Sequence, residues 1–115
     1  NKAQATHVVG EVKGRTCVIY DDMIDTGGSV TAAIAALKAM KVNKDIYLAA
    51  THAVFSGPAV ERFKAAGFKE VVVSNSIPIP KNKQFKGLKV LSVASLLAKI
   101  IKSVHEARSV TSVMI

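Results

Sequence analysis

The stretch "CVIYDDMIDTGGSVTAA" (Cys17–Ala33) passes from an apolar run into a helical pattern through three aspartates and a Gly-Gly pair. Its first part belongs to "RTCVIYD" (Arg15–Asp21), rich in the β-branched and aromatic residues that strands favour. From Ser29 to Met40, apolar residues at positions 30, 33, 34, 37 and 40 recur at the spacing of one helical face. A strand that feeds a helix through a short glycine-rich loop is a building unit of parallel α/β sheets, whose strands are joined by crossover helices. Such sheets bind ligands beyond the carboxyl ends of their strands. That is where this loop lies.

The alternation continues outward. "DIYLAATHA" (Asp45–Ala53) reads as a second strand, and Pro58 suits the first turn of a helix running to about Ala66 and closed by Gly67. "KEVVVSN" (Lys69–Asn75) and "LKVLSVA" (Leu88–Ala94) read as third and fourth strands. In "SLLAKIIKSVHEA" the residues Leu96, Leu97, Ile100, Ile101 and Val104 line one helical face. Continuous apolar strands joined through helices imply a mainly parallel sheet covered on both faces, an α/β fold in one domain over residues 1–115. Asn1–Gly10 reads as the end of a connection or an edge strand. Ser74–Gly87 has no periodicity and holds Pro78 and Pro80, so it is expected to be an exposed loop.

Half of the 115 residues are hydrophobic, enough for a folded core. The net charge of +8 raises the question of nucleic acid, yet the basic residues are spread along the chain, dense only in "PKNKQFKGLK" (Pro80–Lys89). The two Tyr and four Phe are not interleaved with them as stacking platforms, so no nucleic-acid partner is expected. No apolar run approaches the roughly 18 residues of a membrane span, and no signal peptide is visible. With Cys17 inside an apolar run, where it reads as a core residue, a reducing cytoplasm is the expected compartment. The first residue is Asn1 rather than Met, and the expectation is a piece of a longer protein.

The loop chemistry is that of an anion site. Gly27 and Gly28 free the backbone amides from Thr26 to Ser29 to form a concave nest at a helix N-terminus, where the helix dipole also favours negative charge. The P-loop lysine is missing, Val30 following Ser29, and so is the G-x-G-x-x-G dinucleotide pattern. Two unit charges about 4 Å apart repel by ~1 kcal/mol in water and ~4 kcal/mol at an effective dielectric of 20, so Asp21 and Asp22 do not face a phosphate directly. A sugar resolves the conflict. Its phosphate sits in the nest while its diol donates to a carboxylate, or shares a hard divalent cation with it.

These residues carry a resemblance. "VIYDDMIDTGGS" resembles the ribose-5-phosphate loop of type I phosphoribosyltransferases. Together with "ATHAVFSGPAVERF", "EVVVSNSIP" and "KVLSVASLLAKIIKSVHEARSVTS", the wider stretch "GEVKGRTCVIYDDMIDTGGS" is similar to the C-terminal domain of the ribose-phosphate pyrophosphokinase family, over nearly the whole chain. The resemblance implies that Asp21 and Asp22 lie at the ribose hydroxyls, that Asp25, Thr26, Gly27, Gly28 and Ser29 surround the 5-phosphate, and that Asp21 and Asp22 meet a substrate-bound Mg2+. It also implies that position 27 accepts Ala or Cys while position 28 stays Gly, so that Gly28 is the residue needing a positive φ or bare contact with phosphate. In that family the β,γ-diphosphoryl group of ATP moves to the C1 hydroxyl of ribose 5-phosphate with magnesium, in an oligomer. The family's basic catalytic loop, with its Lys and Arg, has no match here, and no catalytic residue is expected within the chain.

Three other readings compete. A phosphoribosyltransferase that consumes the diphosphate product shares the loop, but "FSGPAVERF" and the last helix fit it poorly. A non-catalytic regulatory paralogue of the synthetase fits the same motifs. A response-regulator receiver needs an acceptor Asp after a later strand, where "IYLAATH" and "EVVVSNS" end in neutral residues or His. His52 follows a strand and is expected to be a structural or subunit contact rather than a substrate ligand, while His7 and His105 are expected at the surface, so no zinc site is proposed. The tail residues Ser109, Thr111 and Ser112 read equally as a terminal strand or cap and, by the resemblance, as part of an allosteric phosphate site between subunits.

Overall fold

Four strands, each parallel to the next, make one sheet in the computed structural model, which describes residues 8–114. The strands β1 (Cys17–Ile24), β2 (Ile46–Ala53), β3 (Glu70–Ser74) and β4 (Leu88–Leu91) lie in chain order across the sheet. Helix α1 (Gly28–Ala39) joins β1 to β2, α2 (Ala59–Ala66) joins β2 to β3, and α3 (Ala94–His105) follows β4. The α/β class and the parallel sheet are as the sequence patterns imply. Gly67 closes α2 in the left-handed region at φ 77°, as expected of the glycine after its last turn. His7 and most of Asn1–Gly10 lie outside the described residues; Val8–Gly10 join no strand.

The sheet is covered on one face rather than two. Parallel strands joined in sequential order by right-handed crossovers advance across the sheet in one direction, so their connections all fall on the same side. Val30 of α1 and Ala59, Val60 and Phe63 of α2 share one buried cluster with Leu48, Ala50, Val71 and Val73 of the central strands. The segment from Ser74 to Gly87 takes the place of a third crossover helix. Much of it is exposed, as expected of a loop, but Ile79 and Phe85 pack against the same cluster and Lys81–Lys83 form one 3-10 turn. Phe63 lies at its centre, edge-on to Phe55 and Phe68 at centroid distances of 5.3 and 6.4 Å and tilted against Phe85 at 6.3 Å.

On the opposite face, Val18 and Tyr20 of β1 remain 63% and 69% exposed. The apolar stripe of α3 is also open, with Ile101 and Val104 about two-thirds exposed, and none of its residues joins the core. The helix packs instead against a 3-10 turn, Thr111–Val113, with Ser112 donating to the Ser109 carbonyl at 2.7 Å. Among the described residues no strand follows α3. Cys17 is half-buried at the start of β1 rather than in the core, since the buried cluster begins beyond it.

The one-sided core sets an unequal response to truncation. Phe63→Ala is expected to lower the unfolding free energy of this chain by about 3–5 kcal/mol. Leu97→Ala, on the open stripe of α3, should change it by about 0.5 kcal/mol or less. Urea unfolding of both variants checks this, and similar losses from the two would mean that α3 is packed in solution.

Candidate functional site

Strand β1 runs to Ile24, three residues past the expected end, so Asp22 joins Asp21 in the strand rather than the loop. Successive strand residues point to opposite faces. Asp21 accordingly turns with Ile19 toward the helix-covered side and is partly buried, whereas Asp22 turns with Val18 and Tyr20 to the open side and is exposed. The Asp22 amide donates to Asp21 Oδ1 at 2.8 Å, which fixes one oxygen of that carboxylate. Beyond them both strands shift the side they bury: Ile24 and its partner Ala53 are buried one residue out of step with the alternation that places Ile19 and Ala50 inward.

A cleft of about 150 Å³ opens at this end of β1, lined by Asp21, Met23, Ile24, Asp25, Thr26, Gly27, Gly28, Ser29 and Val30. It is smaller than the roughly 300 Å³ at which pockets begin to enclose drug-sized ligands, and suits the phosphate-sized end of a larger one. Of the seven residues singled out in the sequence it gathers six; Asp22 is the one left outside.

Helix α1 starts at Gly28, and no side chain caps it. The amides of Gly28, Ser29 and Val30 therefore point out of its first turn without intrahelical acceptors, next to the positive end of the helix dipole. No acidic side chain occupies that turn. Thr26 and Ser29 are exposed and add hydroxyls at its rim.

The glycines divide their labour in the opposite way to that expected from backbone freedom. Gly27 holds the left-handed conformation, φ 83° and ψ 6°, and is buried; Gly28 is the first helical residue and needs no positive φ. A Cβ at Gly27 would meet the Phe63 ring at 3.0 Å, whereas one at Gly28 meets its nearest neighbour, Arg62 Nη1, at 3.6 Å. The chain must turn sharply from strand to helix directly over Phe63, and that turn falls one residue earlier than the Gly28 amide.

The β2–α2 turn braces the loop from behind. The amides of Val54 and Phe55 donate to the Ile24 carbonyl at 2.9 and 3.2 Å, and the Ser56 amide to the Asp25 carbonyl at 2.9 Å. Phe55 is buried at φ 53°, a conformation rare for a bulky residue, and is held there by these bonds and by Phe63. Arg62 of α2 donates from Nη1 to the Thr26 carbonyl at 2.9 Å. Arg62 went unremarked in the sequence. The signal was available, because parallel crossover helices start at the same edge of the sheet, and a first-turn arginine on α2 reaches toward the start of α1.

His52, exposed near the end of β2, does not line the cleft; its Nδ1 lies 2.8 Å from Ser76 Oγ, tying β2 to the segment after β3. His105 is exposed. Among the described residues no three His, Cys, Asp or Glu side chains converge on a metal position, and no helix is long and apolar enough to cross a membrane.

Known proteins resemble this chain over nearly its whole length. The phosphoribosyl synthetase-associated domain family matches residues 1–114. A ribose-phosphate pyrophosphokinase of Nostoc sp. is 49% identical over 97% of this chain and 34% of its own length, and that of Mycobacterium leprae is 50% identical over 96% and 34%. The crystal structure of phosphoribosylpyrophosphate synthetase from Mycobacterium smegmatis superposes with a TM-score of 0.81 at 48% identity, covering 86% of this chain and 33% of that one. The chain spans about a third of the length of the curated relatives it matches.

The two glycines should separate in stability. Gly27→Ala, forced into a left-handed conformation against Phe63, is expected to lose about 1–2 kcal/mol. Gly28→Ala, at a helical position with room for a methyl group, should lose little. Thermal unfolding of the two variants checks the order, and a larger loss at Gly28 would refute the assignment of the strained turn to Gly27.

Proposed function

The chain belongs to the phosphoribosyl synthetase-associated domain family, and on that premise we propose that it is the ribose-5-phosphate-binding, type I phosphoribosyltransferase-like domain of a ribose-phosphate diphosphokinase. The whole protein transfers the diphosphoryl group of ATP to C1 of ribose 5-phosphate, giving phosphoribosyl pyrophosphate, and works as a cytoplasmic homo-oligomer. The observation that carries this reading is the meeting, in one cleft, of the Asp21 carboxylate with the unpaired amides at the start of α1.

The two ends of the cleft suit the two ends of a sugar phosphate. The Gly28, Ser29 and Val30 amides, with the Thr26 and Ser29 hydroxyls, receive the 5-phosphate, supplying donors without requiring a cationic side chain in the cleft. Asp21, with one oxygen fixed by the Asp22 amide, offers the other to the ribose diol. Asp22 faces the opposite side of the strand and acts on the sugar only through its backbone.

Magnesium fits this chain as an ion carried by the substrates. It is commonly held by one or two carboxylates together with phosphates and water, and Asp21 is the carboxylate in position; the described residues offer no three-ligand cage. When bound, the ion offsets phosphate charge. Asp21 and the loop amides orient the sugar, and the chain assigns no proton transfer to any of its own residues.

Calorimetric titration of this chain with ribose 5-phosphate, ribose and inorganic phosphate tests the proposal. Ribose 5-phosphate should bind more tightly than either of the others. Asp21→Asn should weaken ribose 5-phosphate by about tenfold, the scale of one charge-assisted hydrogen bond, while leaving phosphate unchanged. Asp22→Asn should keep both affinities. Equal affinity of the unaltered chain for ribose 5-phosphate and phosphate would sink the reading.

A further inference from the structure

Four successive carbonyls at the start of the cleft have donors inside the chain. Those of Ile24 and Asp25 accept from amides of the β2–α2 turn, that of Gly27 accepts from the Thr31 amide at 3.0 Å and the Thr31 hydroxyl, and that of Thr26 accepts from Arg62. With its acceptors tied back, the loop presents donors to the ligand. Only the Thr26 carbonyl is held by a charged side chain, and the same Nη1 lies 3.6 Å from the point where a Gly28 side chain would begin. No Lys or Arg is among the residues lining the cleft.

We propose that Arg62 is a positioning residue of the phosphate loop, which holds the Thr26 carbonyl from behind and sets a fixed positive charge beside the Gly28 amide. The proposal rests on the ribose-5-phosphate reading above. Guanidinium suits the task because it has five donors, no acceptor and a permanent charge, so one N–H can remain on the carbonyl while the charge acts on the anion through the loop. It supplies from α2 the cation that a P-loop carries as a lysine after its glycine. Neither half of the role requires Arg62 to touch the phosphate.

The test uses the full 115-residue chain with Arg62→Gln, which keeps a donor and loses the charge, Arg62→Lys, which keeps the charge, and Lys64→Gln as a control that removes an equal charge two residues along α2. Each is titrated with inorganic phosphate and with ribose 5-phosphate while the amide resonances of Gly27 to Val30 are followed by NMR. Arg62→Gln should weaken both ligands by about tenfold or more, flatten the salt dependence of phosphate binding and shift the Gly28 and Ser29 amides of the free protein. Arg62→Lys should recover most of that loss, and Lys64→Gln should match the unaltered chain. A role confined to bracing the loop predicts instead that the glutamine variant, with its donor intact, binds as well as the lysine variant. Arg62→Met serves as a second neutral variant if glutamine disturbs folding. Unchanged phosphate affinity and unchanged Gly28 and Ser29 amides in the neutral variants overturn the inference, as does an unaltered chain that binds neither ligand. If the unaltered chain binds phosphate but shows no preference for ribose 5-phosphate, the functional reading fails while the phosphate titrations still decide the role of Arg62.

Discussion

The arrangement depends on a conflict at one turn: the chain must pass from β1 into α1 without losing backbone hydrogen bonds, yet leave amides free at the surface. It does so by separating the two sides of the loop. Carbonyls from Ile24 to Gly27 are all satisfied within the chain, most of them by the β2–α2 turn and Arg62. An unpaired buried carbonyl costs about as much as a lost hydrogen bond, so this bracing holds the loop in one conformation. The amides that open α1 have no acceptor within the helix, which leaves them available to water or to an anion. The left-handed Gly27 is the hinge between the two halves, and its close approach to Phe63 ties the site to the centre of the core.

That link explains why the core is concentrated where it is. Phe55, just past the carboxyl end of β2, and Phe68 and Phe85, just before β3 and β4, gather around Phe63 of α2, and the segment from Ser74 to Gly87, with one 3-10 turn at Lys81–Lys83, brings Phe85 among them. The same sequential strand order that stacks these connections on one face leaves the other face and α3 uncovered. The fold is thus asymmetric, packed beneath the β1–α1 loop and open across Val18, Tyr20, Ile101 and Val104.

The sequence revealed the elements better than their sidedness. Local signals located the four strands and three helices of the described residues: β-branched apolar runs marked the strands, helical spacing marked α1 and α3, and Pro58 and Gly67 marked the bounds of α2. Double coverage was inferred from apolar strands, but periodicity does not report which side a crossover takes, and the apolar stripe of α3 looks the same whether or not anything packs on it. The site residues were legible as a cluster: the cleft gathers Asp21, Asp25, Thr26, Gly27, Gly28 and Ser29. The orientation of Asp22 was not, since it depends on β1 continuing to Ile24. The exchange of roles between Gly27 and Gly28 was hidden for a similar reason, because the turn is dictated by Phe63, far away in the sequence. Arg62, in "ERF", was legible only from the shared edge at which the crossover helices start, since a charge near the start of a helix is ordinarily a solvated one.

The question posed by an acidic anion site then has a physical answer. The chain carries a net charge of +8, which favours approach of a phosphorylated ligand from a distance, but Asp21, Asp22 and Asp25 make the immediate neighbourhood negative. Net charge cannot hold a phosphate there. Directed dipoles can, because the amides of Gly28, Ser29 and Val30 act at hydrogen-bond range, where they compete with carboxylates that the strand has turned to different sides. Asp22 is on the opposite face and exposed to solvent screening, and Asp21 has one oxygen already engaged by an amide. A ligand with negative charge at one end and hydroxyls at the other satisfies both ends of the cleft, whereas a bare anion satisfies only one. In the proposed function, discrimination for a sugar phosphate over phosphate would therefore follow from placing a carboxylate beside an anion nest, the feature that first looked like a contradiction.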